Sequence, residues 1–220
     1  MSEEIWNQST CRRYADGMRP LVVRDHRPWA QFIARRLPAV DKPVVVELAA
    51  GPGFLLLELG AIVQGAELIA VDDAPAMLEI QAEEAKRAGR AMRSVQGRAQ
   101  DTGLSEASAD VVLCKNLLNC MEGKDAHEAV LREMHRLLRP GGLAVLLDFD
   151  DAGPSLAALA LKTFVRFQSG AEFARDFGEA WNRRLHAQDI LRLVQRTGFE
   201  DTWYHRRLIT FMIEGRRAAS

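Results

Sequence analysis

The sequence predicts a three-layer α/β fold built on a seven-stranded sheet that is parallel except for its last strand. Three observations carry that expectation. From Pro43 onward, short β-branched runs alternate with segments of helical period, the pattern of βαβ units. The first run, Val44-Val45-Val46-Glu47-Leu48-Ala49, is almost continuously apolar, as befits a strand covered by helices on both faces. The last two runs lie so close together in sequence that they must pair antiparallel.

Taken in order, the first strand leads through Gly51-Pro52-Gly53 into a helix over 54–63, and a second strand over 67–71 ends in Asp72-Asp73. Pro75 can open the next helix, where its fixed φ suits the first turn, and Gly89 can close it in the left-handed conformation. A third strand near 91–95 and a fourth over 110–114 follow. The helix over 126–138 buries Ala126, Val130, Met134 and Leu137 on one stripe, and Asp125 with Glu128 reads as a capping box. Pro140-Gly141-Gly142 then stops the helix ahead of a fifth strand over 143–149. Gly153-Pro154 breaks the alternation, and a largely helical stretch over 155–185 is predicted beyond it. A last helix around Ala187, Ile190, Leu191 and Val194 ends at Gly198; strands over 201–205 and 208–213 close the chain around an Arg206-Arg207 turn.

The bulk numbers narrow the function classes. A chain of 220 residues with 48% hydrophobic and 27% charged residues can bury a real core as one domain. Its 29 Lys and Arg against 30 Asp and Glu leave a formal net charge of -1, which offers no bulk attraction to nucleic acid or an anionic membrane. The 3 cysteines, Cys11, Cys114 and Cys120, form no CxxC pair, which speaks against a disulfide scaffold or a zinc site and fits a reducing cytoplasm. No stretch has the apolar length of a membrane span or of a secretion signal.

The chemistry concentrates at the strand ends. The segment Glu47-Leu48-Ala49-Ala50-Gly51-Pro52-Gly53 joins strand to helix, and its two glycines let backbone approach a ligand with no Cβ in the way. With Ala70-Val71-Asp72-Asp73-Ala74-Pro75-Ala76-Met77-Leu78, the stretch 97–110, and the Arg139-Pro140-Gly141-Gly142 ending, it resembles in order the four motifs of the Rossmann-like (class I) S-adenosylmethionine-dependent methyltransferases, in particular their ubiquinone-biosynthesis-like and small-molecule branches. The resemblance covers 44–149 strongly and 197–213 more loosely. It implies that Glu47, Ala49, Gly51 and Gly53 surround the methionine part of S-adenosylmethionine, that Asp72 holds the ribose, and that Asp73 and Met77 flank the adenine. It further implies a core over 43–150 for this cofactor, a helical cap over 1–40, a helical substrate lid over 154–185 and a closing helix and hairpin over 186–215, all in one domain.

One position departs from the pattern. Where the family usually carries an Asp that accepts from the adenine amino group, this chain has Arg98, which only donates. Adenine recognition would then rest on the Ala99 backbone, on Gln100 or Asp101, or on stacking by Arg98.

The residues themselves favour this cofactor over a dinucleotide. Nicotinamide sites place a third glycine at the helix start for the pyrophosphate, whereas Phe54, Leu55 and Leu56 stand here. Glu47 would repel a pyrophosphate but attract an ammonium and a sulfonium. A nicotinamide-dependent oxidoreductase and a non-catalytic S-adenosylmethionine-binding or partner-regulating protein are the competing readings; an NPPY-like tetrapeptide, carried by many amino-group methylators, is missing after the fourth strand.

Methyl transfer demands positioning and water exclusion, and a base only where the nucleophile must lose a proton, so no catalytic motif is required. The resemblance places Asn116 beside the cofactor and Asn119 toward the substrate, and it places Tyr14 over the methionine end. His26, in the same amino-terminal segment, is the substrate-facing histidine of choice; His127 and His135 read as solvated helix residues, His186 as a helix cap and His205 as a neighbour of the hairpin. Asp148, Asp150 and Asp151 read as solvated loop carboxylates with no metal between them. The aromatics Phe164, Phe167, Phe173, Phe177 and Trp181, with Lys162, Arg166 and Arg175, suit either a lid over a small-molecule substrate or plain packing. The sequence names neither the methyl acceptor nor an oligomeric state.

Overall fold

The computed structural model describes residues 6–151, 184–207 and 209–219, together with positions 156, 159, 163, 166 and 167. Its sheet has seven strands: β1 (Val44–Leu48), β2 (Glu67–Asp72), β3 (Arg93–Gln96), β4 (Ala109–Lys115), β5 (Leu138–Phe149), β6 (Glu200–Arg207) and β7 (Thr210–Arg216). They lie side by side in the order β3-β2-β1-β4-β5-β7-β6. The pairs among β1 to β5 are parallel, and β7 runs antiparallel to both β5 and β6. The order turns back between β1 and β4, so the connections that leave the carboxyl ends of these two strands run in opposite directions and open a crevice.

Strand alternation sends successive side chains to opposite faces, and both faces are covered. Val45, Leu68, Ala70, Val111 and Leu113 pack against α2 (His26–Ala34) through Trp29, Ala30 and Ile33 and against α3 (Phe54–Ile62) through Leu55, Leu56 and Leu59. Val46, Leu48, Val71, Val112 and Cys114 meet α5 (Lys124–Leu137) through Val130, Leu131, Met134 and Leu137, and the helix of Ala187–Arg196, here α6, through Ile190 and Val194. The amino-terminal α1 (Gln8–Met18) is set on α4 (Pro75–Ala88), with Cys11 and Ala15 against Met77 and Ile80. Arg12 to Glu83 and Arg19 to Glu84 tie the same two helices, and Arg27 to Glu58 ties α2 to α3. No described helix is long and apolar enough to cross a membrane.

Several local expectations need correction. Gly123, with no side-chain cap bond, precedes α5, because the helix begins at Lys124 and takes Asp125 into its first turn; there is no capping box. His127 is buried, its Nε2 2.9 Å from the Leu118 carbonyl, because a 3-10 turn over Leu118–Cys120 folds onto that flank of the helix. Arg206 and Arg207 stand in β6 opposite Phe211 and Thr210, not in the turn of the hairpin. Asp148 and Asp150 are buried: Asp148 accepts from the amides of Asn119 and Phe149, and Asp150 from the Tyr204 hydroxyl beside Arg206. His186 does stand before α6, but its ring faces Asp151 at 3.1 Å instead of capping. The lid expected over 154–185, with Phe164, Phe173, Phe177, Trp181, Lys162 and Arg175, lies largely outside the described residues; Arg166 and Phe167 are exposed.

Candidate functional site

The crevice at the β1 and β4 ends is roofed by α1 and α2, and it is lined by Tyr14, Met18, His26, Glu47, Phe54, Lys115 and Asn116 together with the backbone of the loop after β1. Its cavity volume is about 40 Å³, and it opens onto solvent.

That loop is shaped by residues in the left-handed region: Ala49 at φ 50°, Gly51 at 53° and Gly53 at 76°. The dihedral at Gly53 calls for glycine, whereas a Cβ there would meet only the flexible end of the Met92 side chain. Three bonds fix the loop from below. The Gly51 amide donates to Asp72 Oδ2 at 2.8 Å, the Gln81 side chain donates to the Gly51 carbonyl at 2.8 Å, and the Ala50 amide donates to the Val71 carbonyl at 2.9 Å. The second Asp72 oxygen accepts from the Ala74 amide at 3.2 Å. Burial pushes Asp72 up to about 6 against the pull of these amides.

Glu47 is the electrostatic feature of the floor. It is 3% exposed, and its Oε2 is buried without a hydrogen-bond partner. Burial pushes its carboxyl up to about 8, although the Lys115 ammonium and the Leu56 amide pull the other way. A buried carboxyl oxygen without a partner is costly unless a donor arrives to meet it, so Glu47 marks a place for a cationic or N–H-bearing ligand.

Lys115 closes β4 with its side chain 8% exposed and its Nζ 2.8 Å from Asp25 Oδ2. His26 Nδ1 stands 3.6 Å from the same oxygen and has no hydrogen-bond partner. Burial, followed by Lys115, lowers the imidazole to about 3, so it is neutral at pH 7. Burial raises Asp25, yet Lys115 and His26 outweigh it and hold the carboxyl below its ordinary range.

The structure thus brings together Tyr14, His26, Glu47, Ala49, Gly51 and Asn116, with Gly53 and Asp72 shaping the loop from outside the lining. The Tyr14 ring comes within 3.7 Å of where a Gly51 Cβ would stand. Asp73 is exposed one residue past β2, and Met77 is buried under α1. Ala99 is buried, while Arg98 is exposed, its backbone bridged to Asp101. Asn119 does not line the crevice; it is 1% exposed within the turn over Leu118–Cys120. Sequence reasoning passed over Lys115 and Asp25. A lysine ending the apolar run Ala109-Asp110-Val111-Val112-Leu113-Cys114 was the available signal, since its strand delivers it to the carboxyl edge of the sheet.

Comparison with known proteins adds the following. The family described as "Methyltransferase domain" matches residues 46–146. Demethylmenaquinone methyltransferase of Deinococcus radiodurans is 28% identical over 94% of this chain and 87% of its own. The enzyme of that name from Thermus thermophilus is 32% identical over 56% of this chain and 54% of its own. Among solved structures, a Methanococcus maripaludis protein, provisionally described as an S-adenosyl-L-methionine-dependent methyltransferase, superposes with a TM-score of 0.75 at 17% identity. That superposition spans 98% of this chain and 95% of the other.

Proposed function

We propose that this chain, which belongs to the Rossmann-like S-adenosylmethionine-dependent methyltransferases, uses the crevice under α1 and α2 to methylate a small aromatic molecule of hydroquinone type. The observation that carries the reading is the unpartnered Glu47 Oε2 on the floor of a crevice whose walls are glycine-rich backbone. S-adenosylmethionine supplies, when bound, a methyl group activated on a sulfonium. Its amino-acid end carries an ammonium that suits Glu47, and neither end carries a phosphate that Glu47 would repel.

The chain's own residues do the rest. Asp72 holds the Gly51 amide in place and keeps the loop open to the ligand. Carboxylate oxygens have further lone pairs, so Asp72 and the exposed Asp73 together suit a ribose at the end of β2. Tyr14, Met18 and Phe54 exclude water from the crevice, which favours an in-line displacement that depends on positioning. Tyr14, Met18, Phe54 and Leu55 among the lining residues, and the name of the Deinococcus relative, demethylmenaquinone methyltransferase, support a flat acceptor with an apolar face.

Incubation with methyl-labelled S-adenosylmethionine and 1,4-dihydroxynaphthalene under anaerobic conditions tests this reading. It expects label in the ring compound and S-adenosylhomocysteine formed one for one. Methylation of proteins alone, with no label in the small molecule, would refute the acceptor class.

A further inference from the structure

A groove of about 540 Å³ lies where β2 and β3 begin, at the opposite end of the sheet from the crevice. It runs between β2, the last turns of α4 and the link into β3, and it opens onto solvent. Four alanines line it together with Leu68 and Met92. Small side chains at Ala82 and Ala85 leave a slot along α4 where larger ones would have filled the space.

The charged groups on the lining are Lys86, Arg90, Arg93 and Glu67, so three cations face one acid. Lys86 and Arg93 are exposed, and among the described residues neither pairs with an acid. Arg90 donates from Nη1 to the Gly60 carbonyl at 2.8 Å. That bond holds the guanidinium in place and leaves its charge uncompensated, since a carbonyl is neutral. An apolar slot with a cationic rim is complementary to an amphiphile with an anionic head.

The groove also touches the loop after β1 from behind. Cε and Sδ of Met92 would stand 2.7 and 3.0 Å from a Cβ built on Gly53, so the thioether rests on that glycine. Leu68 Cδ1 would stand 2.5 Å from a Cβ on Gly60, whose carbonyl Arg90 holds. Near both its ends, therefore, α3 leans on residues that line the groove.

We propose that this groove is a second ligand site, which takes a single-chain amphiphile with an anionic head, and that its occupant raises cofactor affinity through Met92. The head meets the cations of the rim, and the tail lies along the alanines. A tail packed on Met92 restricts a side chain with three rotatable bonds and keeps it against Gly53, so the loop is partly ordered before the cofactor arrives. This coupling rests on the reading of that loop as part of the cofactor site; the groove itself does not.

Calorimetry on the full chain at neutral pH tests the groove first, with decanoate, decylammonium and pentanoate below their micelle concentrations. Decanoate should bind, and the other two should each bind at least about tenfold more weakly, decylammonium for its charge and pentanoate for the methylenes it lacks. Replacing both exposed cations, Lys86→Glu with Arg93→Glu, should weaken decanoate by at least about tenfold. Ala82→Trp fills the slot from an exposed helix position and should abolish decanoate binding. Both variants should bind S-adenosylhomocysteine within about threefold of the wild type when decanoate is absent, which separates a lost groove from a lost fold. S-adenosylhomocysteine is then titrated into the wild type with and without saturating decanoate. Its affinity should rise by at least about threefold with decanoate, and decanoate should gain the same factor in return. Met92→Val shortens the side chain away from Gly53, and it should bind decanoate within about threefold of the wild type yet lose the gain. If the wild type binds no S-adenosylhomocysteine, the cofactor reading of the loop fails and the coupling falls with it, while the preference for decanoate over decylammonium still decides the groove. Absent decanoate binding, equal binding of decylammonium, binding that survives Ala82→Trp, or decanoate that competes with S-adenosylhomocysteine or leaves its affinity unchanged would overturn the proposal.

Discussion

Replacing Glu47 with glutamine tests the proposal that its charge recognises the cofactor. The side chain is 3% exposed and its carboxyl is pushed up to about 8 by burial, so in the free protein at pH 7 it is largely protonated. An ammonium ligand needs the anion, and binding must therefore release a proton. Affinity of the wild type should rise by up to about tenfold per pH unit between roughly 6 and 8, where one unit of pKa is worth about 1.4 kcal/mol. Above roughly 8 the gain stops, because the ligand's own amino group begins to lose its proton. Asp72, pushed up to about 6, titrates below that window.

Glu47→Gln keeps the shape and one carbonyl acceptor but removes the charge. At pH 8 it should cost about 1.5–3 kcal/mol, or roughly ten- to a hundredfold in affinity, and the pH slope below 8 should vanish. Stability gives an independent sign. A group whose folded pKa is raised contributes stability that is present below its ordinary value and lost as pH rises through about 8. The wild type should therefore lose more Tm than Glu47→Gln between pH 5 and roughly pH 9. Calorimetry with S-adenosylhomocysteine in two buffers of different ionisation enthalpy counts the released proton directly. A flat wild-type affinity from pH 6 to 8, or a glutamine variant that binds as tightly as the wild type, would refute the reasoning.

Two further substitutions address the loop and the departure from the family pattern. Asp72→Ala removes both acceptors of the Gly51 and Ala74 amides, so urea unfolding should show a loss of about 1–3 kcal/mol and calorimetry a drop of at least about tenfold in S-adenosylhomocysteine affinity, with Asp72→Asn intermediate. Arg98→Ala should leave stability within about 0.5 kcal/mol, because the side chain is exposed, yet weaken S-adenosylhomocysteine binding by about 0.5–1 kcal/mol if the guanidinium stacks on the adenine; unchanged affinity would place the ring elsewhere.

The sheet was legible in the sequence because its signals are local. Val44-Val45-Val46 and Val111-Val112-Leu113 are apolar on successive residues, and only a strand covered on both faces reads that way. The left-handed glycines of the loop after β1 were legible for a similar reason, since steric freedom is a property of the residue. What escaped was long-range. His127 reads as a flank position until the turn over Leu118–Cys120 folds onto it. Asp148 reads as a loop carboxylate until the Asn119 and Phe149 amides turn toward it. Asn119 had the position of a substrate-facing residue, but in this chain its turn tucks inward and the crevice is met instead by Lys115 and Asn116. Lys115 and Asp25 are 90 positions apart in the chain, and nothing in their neighbours announces the 2.8 Å pair that joins them.

The central claim is that the crevice floored by Glu47 receives the amino-acid end of the methyl donor. A crystal structure of the chain with S-adenosylhomocysteine tests it most directly. The account predicts the ligand's amino group within hydrogen-bond distance of Glu47 Oε2, its ribose at the end of β2 near Asp72 and Asp73, and its sulfur turned toward His26 and Lys115. A ligand bound elsewhere, or one in this crevice with its amino group away from Glu47, would contradict it.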